Sequence, residues 1–334
     1  MHSTTSNKSV SVVIPTYNGQ HLLQQYLPSV KKALNFSFSN YEIIVIDDGS
    51  SDNTMDFIRS TYPEVILIKN KINQGFSATI NRGIEKSSKQ LLLCLNNDME
   101  LPHNFFENQL SFFDKPDTFG VMSAIKDINK EYILESRKIP EICSYGIKIK
   151  DAPNTKNGEE PYTFYLCGGN GLYNAKKIKM LGGFSNLYKP FYFEDVDLSA
   201  RAWSVGWKSY YCDAAECYHM HSATIKSLNN IEFIETTSYL NFLKFSYFFL
   251  PEKLKKRFIV SSYLRVFYFS IAALLNTSKK NRVKAMVLLI KNRNVISKME
   301  SDFLDLCRTN RLTRKPINEV ISNYFSSLPN KHLA

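Results

Sequence analysis

Short runs of β-branched and aliphatic residues, each closed by a polar turn and separated by stretches of helical periodicity, constrain this chain more than any other feature. "SVSVVIPTYNG" (9–19) and "YEIIVIDDGSSDNT" (41–54) flank the helix-periodic "HLLQQYLPSVKKAL" (21–34). "MDFIRSTY", "VILIKN", "GFSATINRGIEKS" and "QLLLCLNNDMEL" carry the alternation to residue 101. Strand, helix, strand is the unit of a parallel sheet, and such sheets present their polar loops at the carboxyl ends of the strands, where ligands bind. Here those loops read "PTYNG", "DDGSSDN", "NKINQG" and "NNDM". The polar, turn-rich stretch 126–162 interrupts the pattern and is expected to be a loop or irregular excursion near the site.

A second concentration of chemistry lies at 191–207, "FYFEDVDLSARAWSVGW". Leu198, Ala202 and Val205 recur at helical spacing and Gly206 marks the stop. Carboxylates in a first turn are favoured by unpaired N–H groups and the helix dipole, which accounts for one or two of Glu194, Asp195 and Asp197. The aromatic approach Phe191, Tyr192, Phe193 partly buries the first acids and so penalises their charged forms unless a cation or a proton-donating substrate is near.

Composition locates a different property. Residues 1–243 carry 24 Lys+Arg against 26 Asp+Glu, whereas 244–334 carry 18 against 5, so the net charge of +11 resides in the tail. Interleaving with Phe, Tyr and Leu in "FLKFSYFFLPEKLKKRFIVSSYLRVFYFSIAALL" suits an anionic membrane surface, and no recognition motif for nucleic acid accompanies the charge. Arg265 and several Ser and Tyr residues interrupt 258–275, which favours a surface-lying or buried helix over a spanning one. "MHSTTSNKSV" lacks the apolar core of a signal peptide. The six cysteines form no CxxC pair and read as free thiols of a reducing compartment. Residues 1–8 are expected to be disordered, with one domain over 9–235 and a basic, aromatic-rich helical region over 236–334.

In order, "VVIPTYN", "IVIDDGSSDNT", "NQGFSATINRGI", "LLLCLNNDM", "GGNGLYNAKKIKMLGGF", "FYFEDVDLSARAWSVGW" and "YHMHSAT" resemble the inverting family 2 glycosyltransferases, over roughly residues 9–245. "NND" in place of a two-aspartate motif resembles the rhamnosyltransferase-like subgroup. The resemblance implies an α/β, GT-A nucleotide-diphospho-sugar-binding fold with a mostly parallel central sheet, followed by the helical region. It implies that Pro15, Tyr17 and Asn18 line the base and that Asp47 accepts from a pyrimidine imide N–H, with Asp48 sharing that work or capping its loop. Asn73, Gly75, Arg82 and Asn97 would serve the ribose and diphosphate; for Arg82 a surface salt bridge is the competing reading.

Asp98 and His219, the latter matching better than His221, would hold a divalent cation, Mn2+ or Mg2+, against the diphosphate. Asn96 stands where a second aspartate would be. Asp195 would be the base that takes the acceptor hydroxyl proton, Glu194 would position the acceptor or that base, Asp197 would start the helix, and Phe191, Tyr192 and Phe193 would floor the acceptor sugar. The donor implied is dTDP-rhamnose or a UDP-sugar. The acceptor is a glycan or lipid-linked glycan of surface-polysaccharide synthesis, met at the cytoplasmic face of the cell membrane. Two other readings stay open: a non-catalytic binding member of the same fold, and a membrane adaptor with zinc on Cys212, Cys217, His219 and His221.

Overall fold

The structure, a computed structural model, describes residues 6–129, 132–143, 145–153, 155, 159–220, 231–272 and 277–325. Its first half alternates as the sequence does: β1 (Val10–Thr16), α1 (Gln20–Ser37), β2 (Tyr41–Asp47), α2 (Thr54–Thr61), β3 (Ile66–Lys69), α3 (Phe76–Lys86) and β4 (Leu91–Leu95). The chain continues through β5 (Met99–Glu100), β6 (Thr118–Asp127), β7 (Ile133–Glu135), β8 (Lys138–Cys143), β9 (Gly146–Asp151) and β10 (Asn170–Asn174). Then come α4 (Ala175–Met180), α5 (Glu194–Ser204) and β11 (Lys208–His219). Four helices close the described chain: α6 (Ile231–Phe249), α7 (Glu252–Ala272), α8 (Thr277–Thr309) and α9 (Ile317–Phe325).

The main sheet has the order β3-β2-β1-β4-β10-β6-β11-β5, with β7 on β6. Six of its nine strands run in one direction, because β10, β5 and β7 are antiparallel to their neighbours. Register aligns Thr16 with Asp47 and Asp47 with Lys69, so the loops after β1, β2 and β3 leave the sheet at one rim. Strand order reverses between β1 and β4, which makes a crevice at that rim.

Both faces of the sheet are covered, which is why its strands read as continuous apolar runs. Val13, Ile44, Ile46, Leu92 and Cys94 face one core with Ile80 and Ile84 of α3. Val12, Ile14, Ile43, Val45, Leu91 and Leu93 face the other, with Leu23, Leu27, Val30 and Leu34 of α1. On the first face α3 lies so close that a Cβ on Gly83 would meet Val13 Cγ1 at 2.2 Å, leaving room only for glycine.

The tail helices share that first core: Leu243, Phe245, Phe248, Phe258, Met286, Phe303 and Phe325 are buried in it with Leu198 and Trp203 of α5. Trp203 packs on Tyr324 and Phe325 of α9, at 5.2 and 5.1 Å between ring centroids. Truncating an aromatic buried to this degree costs about 3–5 kcal/mol. The division drawn at 235/236 falls inside α6.

Two expectations about local order are corrected. Ser6 pairs with Phe38, its N–H donating to Ser37 O at 2.9 Å, and Lys8 meets Asp114 at 2.7 Å, so residues 6–8 are tied to the domain. The 126–162 excursion contains β7 and a β8–β9 hairpin in full register from Lys138↔Asp151 to Cys143↔Gly146. Its polar alternation hid it: Ile142, Ile147 and Ile149 turn to the core while Glu141, Lys148 and Lys150 face outward.

Candidate active site

The rim of the sheet collects the loops singled out above. After β1, Asn18 adopts φ 49° and links two loops: its N–H donates to Ser50 Oγ at 2.8 Å and its Oδ1 accepts from Ser51 N at 2.8 Å. Pro15 is half-buried and Tyr17 is exposed, at the mouth of the same loop. Asp47 is fully buried; Oδ1 accepts from Ser50 N, while Oδ2 is shielded from solvent and has no hydrogen-bond partner among the described residues. An acceptor left in that state suits a ligand N–H.

Asp48 is occupied differently. Its Oδ1 accepts from Asn70 Nδ2 at 2.6 Å and Gln74 N at 2.8 Å, and Oδ2 accepts from Gly75 N at 3.0 Å. The second aspartate of "DDGS" thus ties its loop to the 70–75 loop. Gly75 has φ 81° with open space over it, a conformation that excludes other residues and leaves backbone accessible. Asn73 Oδ1 accepts from Gly75 N at 3.0 Å. The Arg82 guanidinium donates to Lys69 O at 2.9 Å and to Asn70 Oδ1, so it braces the β3–α3 turn rather than forming a salt bridge.

The "NND" stretch crosses to the other half of the sheet. Asn97 Nδ2 donates to Thr16 Oγ1 at 2.9 Å, and Asn96 N–H donates to Gly169 O at 3.1 Å. Strand β5 pairs with the end of β11, His219 opposite Met99, and this register sets Asp98 Oδ1 3.1 Å from His219 Nε2. Asp98 Oδ1 is shielded from solvent and takes up no hydrogen bond from the described residues. A hard carboxylate oxygen and an imidazole nitrogen this close could take two positions around a divalent cation whose remaining positions a diphosphate would fill. His221 lies outside the described residues.

The zinc arrangement does not form. Cys212 packs with Val121 and Tyr210, its Sγ bonding Asn108 O, whereas Cys217 lies in the core against α1, bonding Ala124 O. A bulge in β11 between Cys212 and Glu216 separates the two thiols into different clusters.

The acids of 191–207 begin α5. Tyr192 and Phe193 both take left-handed backbone, φ 71° and 76°, immediately before Glu194. Phe193 O then accepts from Asp197 N at 2.9 Å, the first helical bond. Asp195 Oδ2 accepts from Gly168 N at 3.2 Å and Oδ1 from Val196 N at 2.8 Å. Burial is the main reason its carboxyl is raised, to about 6; those N–H groups oppose the rise and Glu135 on β7 adds to it. Glu194 is raised further, to about 8, by burial and then by the Asp195 charge, and its Oε2 is shielded without a partner among the described residues. Burial thus holds both carboxyls above the ordinary carboxylate range, Glu194 more than Asp195, with the charge of each opposing ionisation of the other.

Asp197 does more than start the helix: buried with Arg201, it accepts from Nε at 2.8 Å and from Tyr188 Oη at 3.2 Å, while the guanidinium reaches Leu181 O and Gly183 O. Phe193 is not free to floor a sugar, being packed on Phe242 and Phe245; Phe191 contacts Tyr192 and Phe233, and Tyr192 is exposed.

A hydrogen-bonded path therefore runs from Asn96 through Gly169 and Gly168 to Asp195. Residues 11–182 match the family model Glycosyl transferase family 2. The chain belongs to glycosyl transferase family 2. It is a glycosyltransferase with the GT-A fold.

Among relatives, the putative glycosyltransferase EpsE of Bacillus subtilis (strain 168) is 25% identical over 211 residues, 61% of this chain and 70% of that one. A second, from Escherichia coli, is UDP-Glc:alpha-D-GlcNAc-diphosphoundecaprenol beta-1,3-glucosyltransferase WfgD, 26% identical over 143 residues, 42% of this chain and 55% of its own. The crystal structure of GalNAc-T7 with UDP, GalNAc and Mn2+ superposes with TM-score 0.62 at 15% identity, over 96% of this chain and 58% of that one. The family match ends at 182, before Glu194, Asp195 and His219.

Proposed function

We propose that this glycosyltransferase is an inverting enzyme. It moves a sugar from a pyrimidine nucleotide-diphospho-sugar, dTDP-rhamnose or a UDP-sugar, to a glycan or lipid-linked glycan of a surface polysaccharide. The observation that carries this is the Asp195 carboxylate, held on two backbone N–H groups in the first turn of α5 with Glu194 beside it. One in-line displacement needs one base for the acceptor hydroxyl, and a carboxylate raised toward neutrality takes a proton more readily. On the donor side, Asp47 Oδ2 awaits an N–H, as a pyrimidine imide offers. Asp98 and His219 would hold Mn2+ or Mg2+, which supplies neutralisation of charge on the departing diphosphate. UDP and Mn2+ in the GalNAc-T7 structure, and the lipid-linked acceptor in the name of WfgD, support the same reading.

Incubation with a panel of dTDP- and UDP-sugars plus Mn2+ is expected to release nucleoside diphosphate from one donor in preference to others. Nucleotide binding without release from any donor would favour the non-catalytic reading.

The same proposal places the enzyme on the inner membrane face. No helix among the described residues is long and apolar enough to cross a membrane. On α7, Val260, Tyr263, Leu264, Phe267 and Tyr268 are 55–71% exposed and recur at i, i+3, i+4, i+7 and i+8, with Lys253, Lys256 and Arg257 exposed one to two turns earlier. Each cation near an anionic surface contributes roughly 1 kcal/mol, and apolar burial adds to it. Full-length protein should float with vesicles containing anionic lipid, and Leu264→Asp with Phe267→Asp should abolish flotation. Equal binding to neutral vesicles would overturn the electrostatic part, and no binding to either would leave a solvated helical cap.

A further inference from the structure

We propose that Asn241 and Lys244 of α6, beyond the family-matched residues, are positioning residues that set the direction of the Glu194–Asp195 carboxylates. The proposal rests on the reading of Asp195 as base. Two consecutive aromatics in left-handed backbone, Tyr192 and Phe193, are an unfavourable way to enter a helix, since bulky side chains clash there. Such a conformation persists only where its surroundings over-determine it.

The surroundings are two side chains of one helix. Asn241 is fully buried, and its Nδ2 lies within hydrogen-bond distance of three loop carbonyls: Tyr188 O at 2.7 Å, Phe191 O at 2.9 Å and Tyr192 O at 3.1 Å. Its Oδ1 accepts from Lys244 Nζ at 3.1 Å, and the same ammonium donates to Leu187 O at 2.8 Å. Between them, Phe242 and Phe245 pack on the Phe193 ring at 6.1 and 5.6 Å. Backbone and side chain of the loop are thus held from one turn and a half of α6.

An apolar contact would join α6 to the core at less cost than a buried ammonium, whose protonation is lowered to about 8 by desolvation. What the polar version adds is direction. Carbonyls 187, 188, 191 and 192 are fixed in space, and the turn that follows places Asp195 Oδ2 on Gly168 N and Oδ1 on Val196 N. Loss of the hold should let the first turn of α5 rotate, weaken those two N–H bonds and move the base off its line to the acceptor.

Asn241→Leu removes the donors while keeping the number and branching of side-chain heavy atoms; Lys244→Met does so more mildly and serves if the first variant folds poorly. With whichever dTDP- or UDP-sugar the panel shows to turn over, kcat should fall about 10- to 100-fold. KM for the donor and nucleotide affinity should be unchanged, and the acid limb of the pH–rate profile should move to higher pH as Asp195 loses its N–H partners. Lys244→Arg, which keeps a donor, should recover most of the rate lost in Lys244→Met. Wild-type kcat and pH profile in folded Asn241→Leu and Lys244→Met would overturn the proposal. So would parallel loss of nucleotide affinity and thermal stability, which marks general loosening. Asp195→Asn measured alongside separates the two levels: if it is inactive while Asn241→Leu is intact, only the clamp falls; if it turns over normally, the base assignment falls and the clamp with it.

Discussion

Asp195→Asn is expected to lower sugar transfer by about 10²- to 10⁴-fold, the usual contribution of a positioned general base, while nucleotide affinity stays within a few-fold. The asymmetry follows from location: Asp195 is hydrogen-bonded to Gly168 and Val196 N–H groups at the start of α5, and not to the "DDGS" or "NQG" loops proposed to hold the donor. The pH dependence carries a sign that can be checked. Transfer needs the ionised carboxylate, and burial raises that group to about 6. Rate is therefore full above that pH and falls as pH drops through it, two units before an ordinary aspartate, at about 3.9, would be protonated. The residual activity of Asp195→Asn should lack this limb. Wild-type turnover in the variant, or a wild-type profile flat to pH 4.5, overturns the assignment.

Removal of divalent cation is expected to stop transfer, with Mn2+ or Mg2+ restoring it, and Asp98→Ala should lose activity without rescue by added metal. A cation at a departing diphosphate is worth several kcal/mol, so the effect should exceed about 10²-fold. Nucleoside-diphosphate affinity, read by calorimetry, should depend on metal in the wild type and not in Asp98→Ala. Full activity in chelator would mean that protein groups alone neutralise the leaving group. Arg82 is a poor candidate for that work, since its guanidinium is engaged with Lys69 O and Asn70 Oδ1.

Contrasting residues show what is legible in a single chain. Asp47 and Asp48 are adjacent and equally acidic in sequence, yet one keeps a shielded, unpartnered oxygen and the other spends both oxygens on Asn70, Gln74 and Gly75. Nothing local separates them, because the discriminating donors sit on a loop more than twenty residues away. Arg82 illustrates the same limit: a cation near a phosphate loop and a cation bracing a turn have one spelling. The β8–β9 hairpin was missed for another reason. Half-buried antiparallel strands with charged outer faces resemble polar loops by composition, and only the inward Ile142, Ile147 and Ile149 betray them.

The sequence by itself determined the parallel half of the sheet and the loops that line its rim. Each strand there is a contiguous apolar run, each loop follows its strand directly, and a sheet buried on both faces leaves little freedom in where such runs go. It also determined that Glu194 and Asp195 stand at the start of a helix, since periodicity and Gly206 are local signals. Tertiary structure alone decided that Asp98 meets His219, for that contact depends on β5 pairing antiparallel with the end of a strand some 120 residues later. It alone decided that Asp197 belongs to Arg201 and Tyr188, and that α6 reaches back to hold carbonyls 187–192. Backbone carbonyls are alike in every residue, so a side chain that seeks them leaves no pattern until the fold brings the two together.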